Sequence, residues 1–143
     1  MPEASFQHRA VTPAEPGHVW ARLQDPQIWA TVAGVDDTSD HAHDGPLLIG
    51  FRFATSIAGV TYRGTARVTE ARREEAMTLG IRSSELTGAI GVVLGTSPTG
   101  TALDVTMRMR PAGIMGTLVF PVVTSAVSNG FVESVENLAI QIG

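Results

Sequence analysis

The chain has 143 residues and a mass of 15.1 kDa, the length of one domain (1–143) with little room for a second. Its hydrophobic fraction of 43% against 17% charged residues excludes wholesale disorder, and folding at this mass hides roughly 68% of the unfolded surface, enough for a core without staples. The absence of Cys excludes disulfides, thiol nucleophiles and Cys-based metal or iron–sulfur sites. A net charge of −4 with no basic stripe excludes a nucleic-acid interface.

The N-terminus has no basic start followed by an apolar run, so no signal peptide is expected and the protein is read as cytoplasmic. Residues 111–132 carry no charge, but Pro111, Gly113, Gly116, Pro121, Ser125, Ser128, Asn129 and Gly130 interrupt them. That stretch is read as a buried or cavity-facing helix, not an integral membrane segment.

Residues 5–11 read as a first strand. Thr12-Pro13-Ala14-Glu15 then marks a helix start, with Thr12 as cap, Pro13 in the first turn and Glu15 three after the cap. Val19, Trp20 and Leu23 share one side of that helix. Asp25-Pro26 ends it and opens a second short helix, residues 27–32, closed by Gly34.

Strands follow. Residues 36–43 are polar and suit an edge. Residues 48–58 place Phe51, Phe53, Thr55 and Ile57 on one face; residues 61–71 oppose Tyr62, Gly64, Ala66 and Val68 to Arg63, Thr65, Arg67 and Thr69. Met77, Leu79 and Ile81 alternate with Thr78, Gly80 and Arg82. Residues 87–96 are more uniformly apolar, Ser97-Pro98-Thr99-Gly100 is a turn, and Leu103, Val105, Met107 and Met109 alternate with Asp104, Thr106, Arg108 and Arg110. Period-two alternation over so many segments describes an antiparallel sheet with one wet and one apolar face.

The period then changes. In residues 120–142, Phe120, Val123, Val127, Phe131, Val135, Leu138 and Ile142 fall on one helical face, opposite Ser125, Asn129, Glu133 and Glu136, with Pro121 near the start or at a kink. The only large surface that can take this stripe is the apolar side of the sheet. The fold expected is α+β: a seven-stranded antiparallel curved sheet around a long C-terminal helix, with two short helices after strand 1.

This order of elements resembles the helix-grip fold of the START-like, or SRPBCC, superfamily. Thr12-Pro13-Ala14-Glu15 through Val19-Trp20, then Leu23-Gln24-Asp25-Pro26 and Trp29, look like its opening helix and the turn after it. Three stretches are most similar to the branch typified by the G-type accessory protein of carbon monoxide dehydrogenase, beside the polyketide cyclase/dehydrase-like one: Val32-Ala33-Gly34-Val35, Ile57-Ala58-Gly59-Val60-Thr61-Tyr62-Arg63-Gly64-Thr65-Ala66, and Gly100-Thr101-Ala102-Leu103. Some members of the carbon monoxide dehydrogenase-associated branch continue into a tail with a hydrophobic anchor. The sequence here stops at Gly143, so no membrane tether is expected. The resemblance implies a cavity between sheet and helix that binds lipids, polyketides, quinones or similar molecules.

Alternation nominates the lining: Phe51, Phe53, Thr55, Tyr62, Met77, Leu79, Ile81, Ile90, Val92, Val105 and Met107 from the sheet, Phe120, Val127 and Phe131 from the helix, and Trp29 from the opening region. Thr55 and Tyr62 are the polar members, suited to orienting a ligand or bonding a backbone carbonyl. Asp36 to Asp44 is the one segment resembling a metal site, with His41 and His43 on one strand face; a solvated edge strand explains it as well, and no metal or other cofactor is expected. His8 and His18 stand alone and read as surface residues. No Gly-x-Ser-x-Gly elbow is present, and the inner strand faces from Phe51 to Met109 hold no carboxylate or His for acid–base work. The function expected is therefore binding of an apolar or amphipathic small molecule (lipid, quinone or polyketide-like) without transformation, with a homodimer open as an assembly. The alternatives are a polyketide cyclase or dehydratase, and an accessory module for a molybdenum hydroxylase-type oxidoreductase.

Overall fold

The computed structural model describes residues 3–143. Seven antiparallel strands form one curved sheet: β1 (Ala4–Thr12), β2 (Asp37–Asp44), β3 (Leu47–Ile57), β4 (Val60–Arg72), β5 (Ala76–Ser83), β6 (Leu86–Ser97) and β7 (Gly100–Pro111). Their order is β1-β7-β6-β5-β4-β3-β2, so the chain meanders from β2 to β7 and β1 closes the far edge. Two short helices, α1 (Pro16–Arg22) and α2 (Pro26–Ala33), connect β1 to β2, and α3 (Gly113–Ile142) ends the chain.

The first helix begins later than its sequence signals suggest. Thr12 is not a cap: it is the last residue of β1, opposite Thr101, and fully buried, with no partner for its Oγ1 among the described residues. The β1–β7 ladder holds it in the strand, while the Thr101 hydroxyl donates to the Ala14 carbonyl, 2.7 Å away, and shapes the exit. α1 starts at Pro16, with Glu15 as an N-cap that makes no side-chain bond. The second junction follows its signals. The Asp25 carboxylate accepts from the Gln27 amide at 2.9 Å, and Gly34 ends α2 at φ 69°, a left-handed conformation. Trp29, fully buried, donates its indole N–H to the Leu23 carbonyl at 2.7 Å and so locks the two helices together.

α3 starts at Gly113, well before Phe120, and takes Pro121 into its interior. One ladder bond is lost there, and the Thr124 hydroxyl donates to the Phe120 carbonyl one turn back. The first turn is held by the β5–β6 connection: the Ala112 amide donates to the Glu85 carbonyl, and a Cβ on Gly116 would collide with that same oxygen. The expected stripe is inward, with Val135, Leu138 and Ile142 wholly enclosed. The opposite side of the first half is unusually apolar. Ile114 and Leu118 are 82% and 68% exposed. The helix is long and apolar enough to cross a membrane by length and composition, and only 17% of its most apolar window is buried.

The inward strand residues form rows across the sheet. One runs Phe51, Ala66, Ile81, Gly88, Met109; the next Val68, Leu79, Ile90, Met107, Phe6; a third Met77, Val92, Val105, His8. α3 packs mainly on β1, β7 and α2. Its C-terminal half and β1 therefore make a solid core at one end, where deleting side chains leaves cavities that cannot collapse. Leu138→Ala should cost about 2–5 kcal/mol in a denaturant melt; a loss below about 1 kcal/mol would show that this end is loosely packed.

Candidate functional site

Between α2, the middle of α3 and strands β3 to β7 lies a cavity of about 400 Å³. Its floor is the two inward rows: Phe51, Ala66, Ile81, Gly88 and Met109, then Leu79, Ile90 and Met107. Its roof is Val123, Ala126, Val127, Gly130, Phe131 and Ser134 of α3, and α2 closes one side with Trp29, Ala30, Val32 and Ala33. The Gly34-Val35 turn and the β3–β4 connection, Ile57-Ala58, complete the boundary.

Two features of the backbone make the space. α2 and α3 pack on one another, and the residues they give to the boundary include the small Ala30, Ala33, Ala126, Gly130 and Ser134, which reach only a short way into the space. On the floor, Gly64 leaves room for the Phe53 ring, whose Cζ would lie 2.6 Å from a Cβ placed there. A side chain at Gly64 would push that ring out of its place in the lining.

The lining has a direction. Polar groups gather near the β3–β4 turn: Thr55, Ser56 and Tyr62, with Ser83 on the neighbouring strand. Most are already bonded. The Thr55 hydroxyl donates to the Gly34 carbonyl at 3.3 Å. Ser83 donates to the Leu86 carbonyl and accepts from the Glu85 and Leu86 amides within its turn. Ser56 contacts the Thr61 hydroxyl at 3.4 Å. Tyr62, only 6% exposed, is different: its hydroxyl makes no hydrogen bond to any described residue. The Ser134 hydroxyl likewise bonds to none of them. No Asp, Glu or His lines the cavity, and Arg108, its one charged contributor, is an exposed residue between the inward Met107 and Met109.

No protein-family model and no curated protein matches this chain. Solved structures do. A START superfamily protein from Mycobacterium smegmatis aligns over 99% of both chains with a TM-score of 0.68 and 11% identity. The Zhui aromatase/cyclase from Streptomyces sp. R1128 aligns over 98% of this chain and 93% of its own, with a TM-score of 0.74 and 12% identity. A protein from Thermus thermophilus aligns over 99% of this chain and 97% of its own, at 0.68 and 15%.

This chain has the START-like helix-grip fold. Within it, Trp29, Phe51, Phe53, Thr55, Tyr62, Leu79, Ile81, Ile90, Met107, Val127 and Phe131 border the cavity. Four nominated residues do not. Met77, Val92 and Val105 belong to the third row, wholly enclosed at the α1 end, where the Gln24 amide reaches the Met77 sulfur. Phe120 is buried in the core before the helix reaches the cavity. Alternation identifies the inward face but does not say where along it the helices have left space.

The histidines are exposed or partly so, and each has a partner. His8 lies on the inner face of β1, and its Nε2 meets Glu136 of α3 at 2.8 Å; His18 Nε2 lies 3.0 Å from the Ile142 carbonyl. Both tie α3 to the first elements of the chain. His41 and His43 do not converge: bulges between Ser39 and His43 send His41 to the Thr38 hydroxyl and His43 to the Gln24 carbonyl. Among the described residues no three His, Asp or Glu side chains gather as a metal site.

Sequence reasoning named Trp29 but missed Ala30, Val32 and Ala33 of α2 and the small residues Ala126, Gly130 and Ser134 of α3. The signal was present as Ala30 and Ala33 at i, i+3 and as Ala126, Gly130 and Ser134 at i, i+4, i+8. Phe131 sits at the boundary between core and cavity, 4% exposed and packed against Phe6 with ring centroids 5.8 Å apart and the rings tilted by 38°. Because one side already borders open space, Phe131→Ala should cost less than the about 3–5 kcal/mol of a fully enclosed Phe, and the variant should admit bulkier apolar molecules. Denaturant melts and dye uptake on the same preparation check both.

Proposed function

We propose that this protein binds an apolar or amphipathic small molecule inside the helix-grip cavity and carries or shelters it without transforming it. The observation that carries the reading is the cavity itself. Its volume falls in the range of small-molecule sites, and its surface is built from aliphatic, aromatic and Met side chains. Solid packing is the default for a protein interior, so a space of this size bounded by apolar groups is a feature of the design of the fold. The two Met in the lining region, Met107 and Met109, can adapt to irregular ligands.

Energetics agree. Each buried CH₂ contributes about 0.8 kcal/mol, so about ten methylenes give a gross gain near 8 kcal/mol, the scale of micromolar binding before ordering costs.

A second reading is cyclisation or dehydration of a polyketide-like substrate. It is favoured by the similarity in shape to a protein named as an aromatase/cyclase. Such chemistry needs a positioned acid or base, and Tyr62 is the one ionisable side chain on the inner sheet face that borders the cavity.

Titration with an environment-sensitive apolar dye, followed by competition with fatty alcohols, quinones and small polar acids, tests the first reading. Saturable dye binding near one equivalent, displaced by the apolar competitors, is expected. No binding, or displacement by small polar acids alone, would remove the reading and advance the enzymatic one.

A further inference from the structure

We infer that the cavity selects an uncharged amphiphile whose polar end is a hydroxyl or carbonyl set against Tyr62, and that it excludes the carboxylate of the same chain length. The inference rests on the binding reading above and names the ligand class for that site.

Its first ground is the free hydroxyl. The Tyr62 ring is buried and borders the cavity, while its hydroxyl is not enclosed by protein and makes no hydrogen bond to a described residue. A phenol hydroxyl left open in this way can take a partner that enters the cavity. Its neighbours at that end cannot supply it: Thr55 is committed to the Gly34 carbonyl, and Ser83 to its own turn. A ligand oxygen is the partner this arrangement accommodates. A phenol can donate to a carbonyl and either donate to or accept from a hydroxyl.

The second ground is charge. α2 contributes no ionisable residue to the boundary. On α3, Glu133 is exposed and Glu136 is engaged with His8. On the strands, Arg52 pairs with Asp40 on the outer face, and Arg63, Arg67, Arg82 and Arg108 are exposed at outward positions. Beside the cavity boundary, the Asp36 carboxylate accepts from the Ser56 amide at 2.8 Å. A ligand carboxylate would therefore pass a like charge and lose its hydration with no counter-charge inside, a loss far larger than one hydrogen bond returns.

The third ground is direction. Thr55, Ser56 and Tyr62 sit at the β3–β4 end, while Leu79, Ile90, Met107 and Phe131 give an apolar surface beyond them, with Ser134 on α3 as its polar exception. A ligand with one neutral head and one apolar tail matches that gradient in a single orientation.

The test is displacement of a bound apolar dye from the intact chain by a matched series: a long-chain alcohol, the corresponding methyl ketone, the alkane and the carboxylate. At about pH 8 the alcohol and ketone should displace the dye at least tenfold more effectively than the carboxylate. The carboxylate should recover as pH falls towards about 5, because only its protonated form can enter, while the alcohol should not change. Tyr62→Phe, which keeps the ring and so the packing, should weaken the alcohol and ketone by roughly two- to tenfold, the worth of one neutral hydrogen bond. It should leave the alkane unaffected. A carboxylate that binds as well as the alcohol at about pH 8 would overturn the selectivity and leave the binding reading intact. A Tyr62→Phe protein of unchanged melting temperature and unchanged ketone affinity would overturn the role given to Tyr62. Failure of the dye and every competitor to bind would remove the underlying reading and this inference with it.

Discussion

The structure depends on a mismatch of widths. Seven strands spaced about 4.8 Å apart span nearly 30 Å before curvature, whereas one helix with its side chains is about 10–12 Å across. α3 cannot cover the concave face alone. It settles on β1 and β7, where the Phe6–Phe131 contact and the enclosed Val135, Leu138 and Ile142 make a solid wedge. α1 and α2 cover more, held as a unit by the buried Trp29 indole on the Leu23 carbonyl. What their side chains do not fill is the cavity beneath them, over the centre of the sheet. The space is a geometric remainder, and the sequence sets its size through the side chains placed around it.

Those side chains work in two opposite ways. Small residues at Ala30, Ala33, Ala126, Gly130 and Ser134 border the space without filling it. Large ones at Phe51, Phe53 and Phe131 narrow the interior from the sides. Walls that face open space forfeit dispersion contacts they would have in a packed core. A ligand that fills the space restores them, and binding only the folded state shifts the folding equilibrium in its favour. Stability and occupancy are therefore coupled, most directly at Phe131, which belongs to both the core and the cavity wall.

Much of this architecture was legible in the sequence. Strand alternation identified the inward residues of β3, β4, β5 and β7, because a period of two is imposed by the pleat and is independent of context. The change of period at the end of the chain identified α3, and Asp25-Pro26 with Gly34 identified α2 through local capping chemistry. The failures have a common cause. Thr12 and Pro13 carry a valid cap signature, but the pairing of β1 with β7 runs through Thr12↔Thr101 and overrides it. Pro121 was compatible with a helix start or a kink because proline opposes helix interiors, and the helix begins earlier than Phe120; contact of Gly116 with the Glu85 backbone holds the preceding turns in place. Met77, Val92, Val105 and Phe120 have the same pattern as the true lining. Only the three-dimensional placement of α1 and α3 divides that face into solid and hollow parts, and a pattern that repeats every second residue contains no information about it.

The same reasoning explains how chains at 11–15% identity share this shape along nearly their whole length. The fold requires alternation on the strands, a long stripe on the last helix and close approach at a few small residues. Many side chains satisfy each requirement, so identity drifts while geometry holds. Function is not carried by those tolerant positions. In this chain the groups that depart from them include a tyrosine hydroxyl at the wall of an apolar cavity, with no partner among the described residues. Shape alone assigns no ligand; polar atoms such as the Tyr62 and Ser134 hydroxyls, which differ from one such chain to the next without disturbing the fold's pattern, are where chains of this shape can diverge.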